Sequence, residues 1–151
     1  MADSRNVAGP SVPSPDPAAE SAKELALVSY LARQAGLGVD AARIAGVLSA
    51  HQAEEPLERV VATLPAAGLR ADVARLPLAS ALWQARASLP LIIYSRAAGW
   101  TVVVGGGLFR ERVAAFDGDE QTRVITRLAL VEKLGLTSAQ SEVEVAFVSP
   151  A

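Results

Sequence analysis

The spacing of apolar residues is helical in the first part of this chain. Leu25, Val28, Leu31 and Ala35 recur at intervals of three and four residues, and a glycine follows as a stop signal. This spacing predicts a first helix over residues 20–35. Two shorter helices follow in AARIAGVLSAH and PLERVVATL.

Local signals fix the ends of these two shorter helices. Asp40 is a suitable N-cap for the second helix, and Pro56 stands at a favoured first-turn position of the third. Pro65 should end or kink the third helix, because its ring clashes with the carbonyl four residues earlier.

Beyond Gly68 the apolar period shortens to that of β-strands. The segments LRADVARL and SEVEVAFVS alternate, while LPLIIYS and WTVVV are apolar runs of strand length, followed by RVAAF and RVIT. LASALWQA reads as a short helix or turn and LALVEKLG as a short helix. Three helices before a mostly antiparallel sheet predict an α+β fold, with an N-terminal helical layer packed on the sheet.

The first 19 residues differ from the rest of the chain. They hold four of the nine prolines together with Ser, Asp and Gly, and their apolar residues have no period that could bury a face. Such a composition predicts a disordered tail. We therefore expect one domain over residues 20–150.

Charge and composition exclude several classes of partner and site. A net charge of -2 without a basic cluster argues against nucleic acid and anionic membranes as partners. No apolar run reaches the roughly 18 residues of a membrane span, so we expect no membrane insertion by this segment and a soluble isolated domain. Cysteine is absent, which removes disulfides, thiolate metal sites and a cysteine nucleophile.

Three motifs could carry chemistry, and each has a simpler structural interpretation. The triple glycine in AGWTVVVGGG lacks the following helix and Lys-Ser or Lys-Thr pair of a phosphate loop, which favours a hairpin turn. His51 has no second imidazole or thiolate to complete a metal site. FDGDE is too short for a calcium loop and predicts a turn. We expect no metal and no cofactor.

Tyr94 and Trp100 flank the short SRAAG turn on consecutive predicted strands, so they can share one face of the sheet. Such a pair is usually core packing. It can also form a binding ledge, because Tyr and Trp contribute large contact areas at small entropic cost.

Taken in order, these segments resemble the bacteriocin-processing, papain-like cysteine peptidase domain of bacterial ABC exporters. They are most similar to its degenerate version in type I secretion transporters. The resemblance covers residues 22–148. It is carried by ALVSYLARQAGLGVDAARI, PLERVVATLPAAGLRADVARLPLASAL, LPLIIYSRAAGWTVVVGG, VAAFDGD, LVEKLG and VEVAFVSP.

The resemblance also implies where the site lies. The family's nucleophilic cysteine falls at about Lys23 with its following glycine at Glu24, its histidine at Trp100 and its orienting aspartate at Asp117. The residue that completes the oxyanion site falls near Pro17. A thiolate made by a neighbouring imidazole is what the reaction requires, and neither group stands at these positions. The resemblance therefore implies a catalytically dead, papain-like domain.

Such a domain would bind or position an unfolded secreted protein on the cytoplasmic side of the bacterial inner membrane. Its substrate-binding residues would be Tyr94, Trp100 and Asp117, and its partners would include the transporter's transmembrane and ATPase domains. The alternative is a free-standing interaction module of the same fold. Apolar runs of about 20 residues in the next hundred codons would favour the exporter. A third interpretation, a hydrolase using Ser29 with His51, is weak because Ser29 lies within the first predicted helix.

Overall fold

The computed structural model describes residues 17–86, 90–107, 110–115 and 122–151. The helices in these ranges are α1 (Pro17–Gln34), α2 (Ala41–Ala50), α3 (Pro56–Thr63), α4 (Leu78–Arg86) and α5 (Arg127–Lys133). The strands are β1 (Leu69–Pro77), β2 (Leu91–Ser95), β3 (Gly99–Gly107), β4 (Arg110–Ala115), β5 (Thr122–Thr126) and β6 (Glu142–Pro150).

The ends of the second and third helices follow their local signals. The Asp40 side chain accepts a hydrogen bond of 3.1 Å from the backbone N–H of Arg43 and so caps α2. After α3 the chain tightens into a 3-10 turn over Leu64–Ala67, which contains Pro65. Gly68 closes this turn in the left-handed region at φ 81°, where residues with a side chain are strained.

Helix α1 begins at Pro17, three residues before the predicted start. Proline suits the first helical turn, and the two alanines that follow are strong helix formers. The Pro-rich composition had placed these residues in the predicted tail of residues 1–19. Residues 1–16 of that tail lie outside the described residues, so its disorder stays a prediction.

All six described strands join one antiparallel sheet in the order β1-β6-β2-β3-β4-β5. The last strand of the chain therefore inserts between the first two, and β6 pairs with β1 at nine positions. Helices that precede a mostly antiparallel sheet confirm the predicted α+β class.

Helices cover both faces of the sheet, so the molecule has three layers. The first layer, α1 to α3, buries Leu31, Ile44 and Val60 against the sheet residues Val102 and Val148. Helices α4 and α5 pack on the opposite face, against Val103, Val145 and Phe147. Successive strand residues point to opposite faces, which is why neighbours such as Val102 and Val103 belong to different cores.

Candidate functional site

Tyr94 and Trp100 face each other across the β2–β3 hairpin. They are register partners, and their ring centroids lie 4.9 Å apart with planes inclined by 59°. The turn between them is held by a 3.0 Å hydrogen bond from Ala98 N–H to Ser95 Oγ, and Gly99 adopts φ 68°. Both rings pack on the side of the sheet that faces the α1–α3 layer.

The two aromatic side chains differ in exposure. Trp100 is 2% exposed and belongs to the core with Ile92 and Val102, whereas Tyr94 is only partly buried. The indole therefore offers almost no surface to a partner, and it supports the tyrosine ring from within the core. Of the two predicted substrate-binding residues that the structure describes, Tyr94 has accessible surface and Trp100 has almost none; the third, Asp117, lies outside the described residues.

A buried ion pair that the sequence patterns did not predict lies between α1 and α3. Arg59 donates two hydrogen bonds to the Glu24 carboxylate, from Nε to Oε1 at 2.7 Å and from Nη2 to Oε2 at 2.5 Å. Glu24 is 1% exposed and Arg59 is 9% exposed. Bidentate contact of this kind fixes both groups in one geometry.

Arg59 also holds the α2–α3 loop in place. Its Nη1 donates to the backbone carbonyl of Glu54 at 2.8 Å and to that of Gln52 at 3.4 Å. The Glu54 carboxylate in turn contacts Nδ1 of His51, which caps the C-terminus of α2. The chain's only histidine is thus part of this loop and does not lie on the strand that carries Trp100.

The ion pair and the tyrosine influence each other electrostatically. The hydrogen bonds with Glu24 raise the pKa of Arg59 above its ordinary value, although burial opposes them. The pKa of Tyr94 is raised above 10.0, mainly by burial and then by the carboxylates of Glu20 and Glu24. Both shifts keep the groups in their protonated forms: the Glu24 carboxylate favours Arg59 as a cation, while burial and then the neighbouring carboxylates disfavour Tyr94 as an anion.

The residue types at the predicted site do not form a nucleophile and base pair. Lys23 is partly buried on α1 beside Glu24, and Trp100 stands at the position that the resemblance gives to the histidine. Ser29 is buried within α1. In the described part of the chain, no three Asp, Glu or His side chains cluster as a metal site would require.

A sequence signal for the missed ion pair exists. Glu24 precedes Leu27, Val28 and Leu31 by three, four and seven residues, so it occupies the buried stripe of α1. A carboxylate in an apolar stripe needs a buried partner. Arg59 lies beside Val60 on α3, and nothing in the sequence alone pairs these two charges across 35 positions.

A pocket of about 240 Å³ opens at the C-terminal end of α1, away from Glu24. Its lining comprises Leu31, Gln34, Ala35, Leu69, Pro90, Val104, Val148, Ser149 and Pro150. It lies near the C-terminus of α1 and the beginning of β2, whereas Tyr94 stands near the end of β2.

No helix among the described residues has the length and apolar character of a membrane span.

A solved structure has the same arrangement of helices and strands. The crystal structure of the N-terminal peptidase C39 like domain of the toxin secretion ATP-binding protein from Vibrio parahaemolyticus matches with a TM-score of 0.65. The match covers 92% of this chain and 100% of that chain at 17% sequence identity. This chain has a peptidase C39-like fold.

The likeness is one of structure, since no protein-family model and no curated protein matches the sequence. The C39-like fold agrees with the resemblance found in the ordered segments of the sequence. In this fold α1, which carries Lys23, and the β2–β3 hairpin, which carries Tyr94 and Trp100, contribute residues to the same hydrophobic core.

Proposed function

We propose that this chain is a noncatalytic domain of a type I secretion ABC exporter that binds or positions the unfolded secretion substrate. The proposal is supported by the C39-like fold, which this chain shares with the N-terminal domain of a toxin secretion ATP-binding protein. The observation that carries it is the chemistry at the site: the chain has no cysteine, and its one histidine caps α2.

The charged groups at the site cannot replace a thiolate and imidazole. Glu24 accepts two hydrogen bonds from Arg59, and Arg59 holds its proton more tightly than a free arginine does. A general base has to take up and release a proton, and Arg59, whose pKa is raised above its ordinary value, stays a cation. A site built in this way can hold a chain and cannot cut it.

Tyr94 is the side chain through which this site would contact a client. Its ring is braced by Trp100 beneath it, so little conformational entropy is lost when another side chain packs on it. Contacts to an unfolded client would be individually weak, because the client loses conformational freedom as it binds.

NMR titration of the isolated chain tests this function. The probe is one reduced and alkylated protein that stays unfolded in buffer, and its native form is the negative control. We expect only the unfolded form to shift the signals of Tyr94 and its neighbours, and we expect Tyr94→Ala to weaken binding. Trp100→Ala is unsuitable, since truncation of a buried indole costs about 3–5 kcal/mol of stability.

Trp83→Ala is the matched control variant. Trp83 is 69% exposed on α4, which packs on the opposite face of the sheet, so its truncation should leave client binding unchanged. Equal shifts with the native and unfolded forms, or equal loss of binding in both variants, would contradict the proposal. Turnover of fluorogenic peptides would contradict its noncatalytic part.

A further inference from the structure

The edge of the sheet at β1 has no further strand beside it in the described part of the chain. β1 pairs with β6 on one side, from Leu69↔Pro150 to Pro77↔Glu142, and stands at the end of the sheet order. In an antiparallel strand the backbone N–H and C=O groups alternate between the two sides, so every second residue of β1 directs them outward. At nine residues, β1 is long enough to accept a further strand in the plane of the sheet.

The side chains of β1 alternate between the two faces of the sheet. Ala71 packs with the α1–α3 layer, and Ala74 packs with the core under α4 and α5. Odd-numbered side chains therefore lie on the first face and even-numbered ones on the second. Arg70 and Asp72 share the second face, and both are exposed. Val73, on the first face, is 51% exposed.

Asp72 forms no ion pair with the residues that the structure describes. The two arginines of the strand have other contacts: Arg75 pairs with Glu142, and Arg70 donates to the Ser149 hydroxyl at 3.4 Å. β1 thus presents a cation, Arg70, and an anion, Asp72, two positions apart on one face. Neither of them is matched by an opposite charge.

This arrangement of charges is complementary to itself. Directly opposite residues of an antiparallel pair lie on the same face, so a two-fold symmetric pair is centred on one residue that faces its own copy. When the centre is Ala71, Arg70 faces Asp72 of the second copy and Asp72 faces that copy's Arg70. Leu69 faces Val73 of the second copy. Both ion pairs form at once because of the symmetry, and opposite charges in this position stabilise a strand pair.

Other symmetric registers of β1 lack this match. A pair centred on Asp72 would oppose two carboxylates, and a pair centred on Val73 would set Asp72 against Ala74 of the second copy. Arg75 cannot face Asp72 in any symmetric register, since the two side chains lie on opposite faces. The pairing would end at Leu69, because Gly68 adopts φ 81° and turns the chain out of the strand.

We propose that β1 is a self-association edge, through which two copies of this chain pair antiparallel about Ala71 with reciprocal Arg70–Asp72 ion pairs. Backbone hydrogen bonds supply the attraction, and the charges fix the register. The small side chain at the centre allows the two strands to approach. The inference goes beyond the proposed function and does not rest on it, because no client takes part in the contact.

The opposite edge of the sheet provides an internal comparison. β5, over Thr122–Thr126, has one charged side chain, Arg123, so a second β5 offers it no opposite charge. Val124 on β5 is 60% exposed, close to the 51% of Val73 on β1. The two edges therefore match in an exposed valine and differ in charge complementarity, so self-association should select β1.

Sedimentation equilibrium of the whole chain over a concentration series tests the association. We expect a weak monomer–dimer equilibrium, because so short a pairing buries less area than a standard interface, and we expect high salt to weaken it. Hydrogen exchange at low and high protein concentration locates the contact: β1 amides should gain protection as the dimer forms, and β5 amides should not. A chain that stays monomeric up to about 1 mM, or a dimer that protects β5 instead, would overturn the proposal.

Charge exchange between the two residues provides the second readout. Arg70→Asp alone and Asp72→Arg alone each put like charges face to face, so each should weaken the homodimer about tenfold. An equimolar mixture of these two variants should form a heterodimer, since every facing pair is then of opposite charge. The double variant, Arg70→Asp with Asp72→Arg, should recover the homodimer. A mixture that associates no better than its components would overturn the proposal.

Arg123→Glu on β5 is the matched control, and it should leave the dimer unchanged. Circular dichroism checks that each variant folds, and the hydrogen-exchange result on the unmodified chain stands independently of them. Loss of the dimer in Arg123→Glu would overturn the proposal. Protection of β1 that appears only when an unfolded protein is added to a monomeric chain would assign this edge to a client strand, and it would overturn the proposal as well.

Discussion

In the described part of the chain, each face of the sheet carries a pair of an arginine and a buried glutamate, and the two pairs differ in how they are held. Glu24 and Arg59 lie in the α1–α3 layer, joined by two hydrogen bonds, and Arg59 also binds two backbone carbonyls. Glu111 and Arg127 lie on the opposite face, where Arg127 donates to Glu111 at 3.2 Å and its side chain is 23% exposed.

The difference shows what each pair does for the molecule. Arg59 connects α1, α3 and the α2–α3 loop, so it fixes the part of the helical layer beside Tyr94. Arg127 joins the beginning of α5 to β4 near the edge of the sheet. We therefore expect the stability of the whole domain to depend more on the first pair than on the second.

Removal of Arg59 should have the largest effect. Arg59→Ala leaves the Glu24 carboxylate buried without its partner, and breaking a buried pair in this way costs about 3–5 kcal/mol. Urea unfolding measures this loss. Replacing both residues, as Glu24→Leu with Arg59→Met, should recover most of it, because no charge is then buried. A double variant as unstable as the single one would contradict this account.

Removal of Arg127 should have a smaller effect. Arg127→Met keeps the aliphatic stem and removes a partly exposed guanidinium, so water can reach part of the vacated position; we expect a loss of about 1–3 kcal/mol. The same urea experiment measures it. A loss equal to that of Arg59→Ala would show that the two pairs are equivalent, contrary to their geometry.

The smallest effect should be the alkaline response of Tyr94, whose proton is held mainly by burial of the side chain and then by the carboxylates of Glu20 and Glu24. Its pKa is higher in the folded state than the ordinary 10.0. The stability associated with its proton is therefore complete below about pH 10 and is lost as pH rises through the folded-state pKa. Thermal unfolding measures this effect. Above about pH 10 the unfolding midpoint of the unmodified chain should fall more than that of Tyr94→Phe, which keeps the ring contact with Trp100. Parallel pH curves for the two proteins would show that Tyr94 is not perturbed.

Local signals determined most of the secondary structure. The apolar period of α1, the Asp40 cap and Pro65 set helix ends that agree with the structure within three residues. Alternation in β1 and β6 identified both strands. Such features depend on residues only a few positions apart, which is why a single sequence reveals them.

Part of the candidate site was also visible in the sequence. The SRAAG turn between two apolar runs was enough to place Tyr94 and Trp100 together. It could not show that Trp100 is buried and Tyr94 partly exposed, because exposure depends on how the α1–α3 layer covers the strand.

The sequence by itself determined most of the elements, the α+β order and the lack of a thiol. The predicted turn at the triple glycine was wrong, because these glycines continue β3 and pair with β4. Only the tertiary structure decided that β6 inserts between β1 and β2, that helices cover both faces, and that Glu24 meets Arg59. The first and the last of these outcomes join residues 35 or more positions apart. Their free energies depend on packing, desolvation and charge pairing between whole elements, which no local pattern encodes.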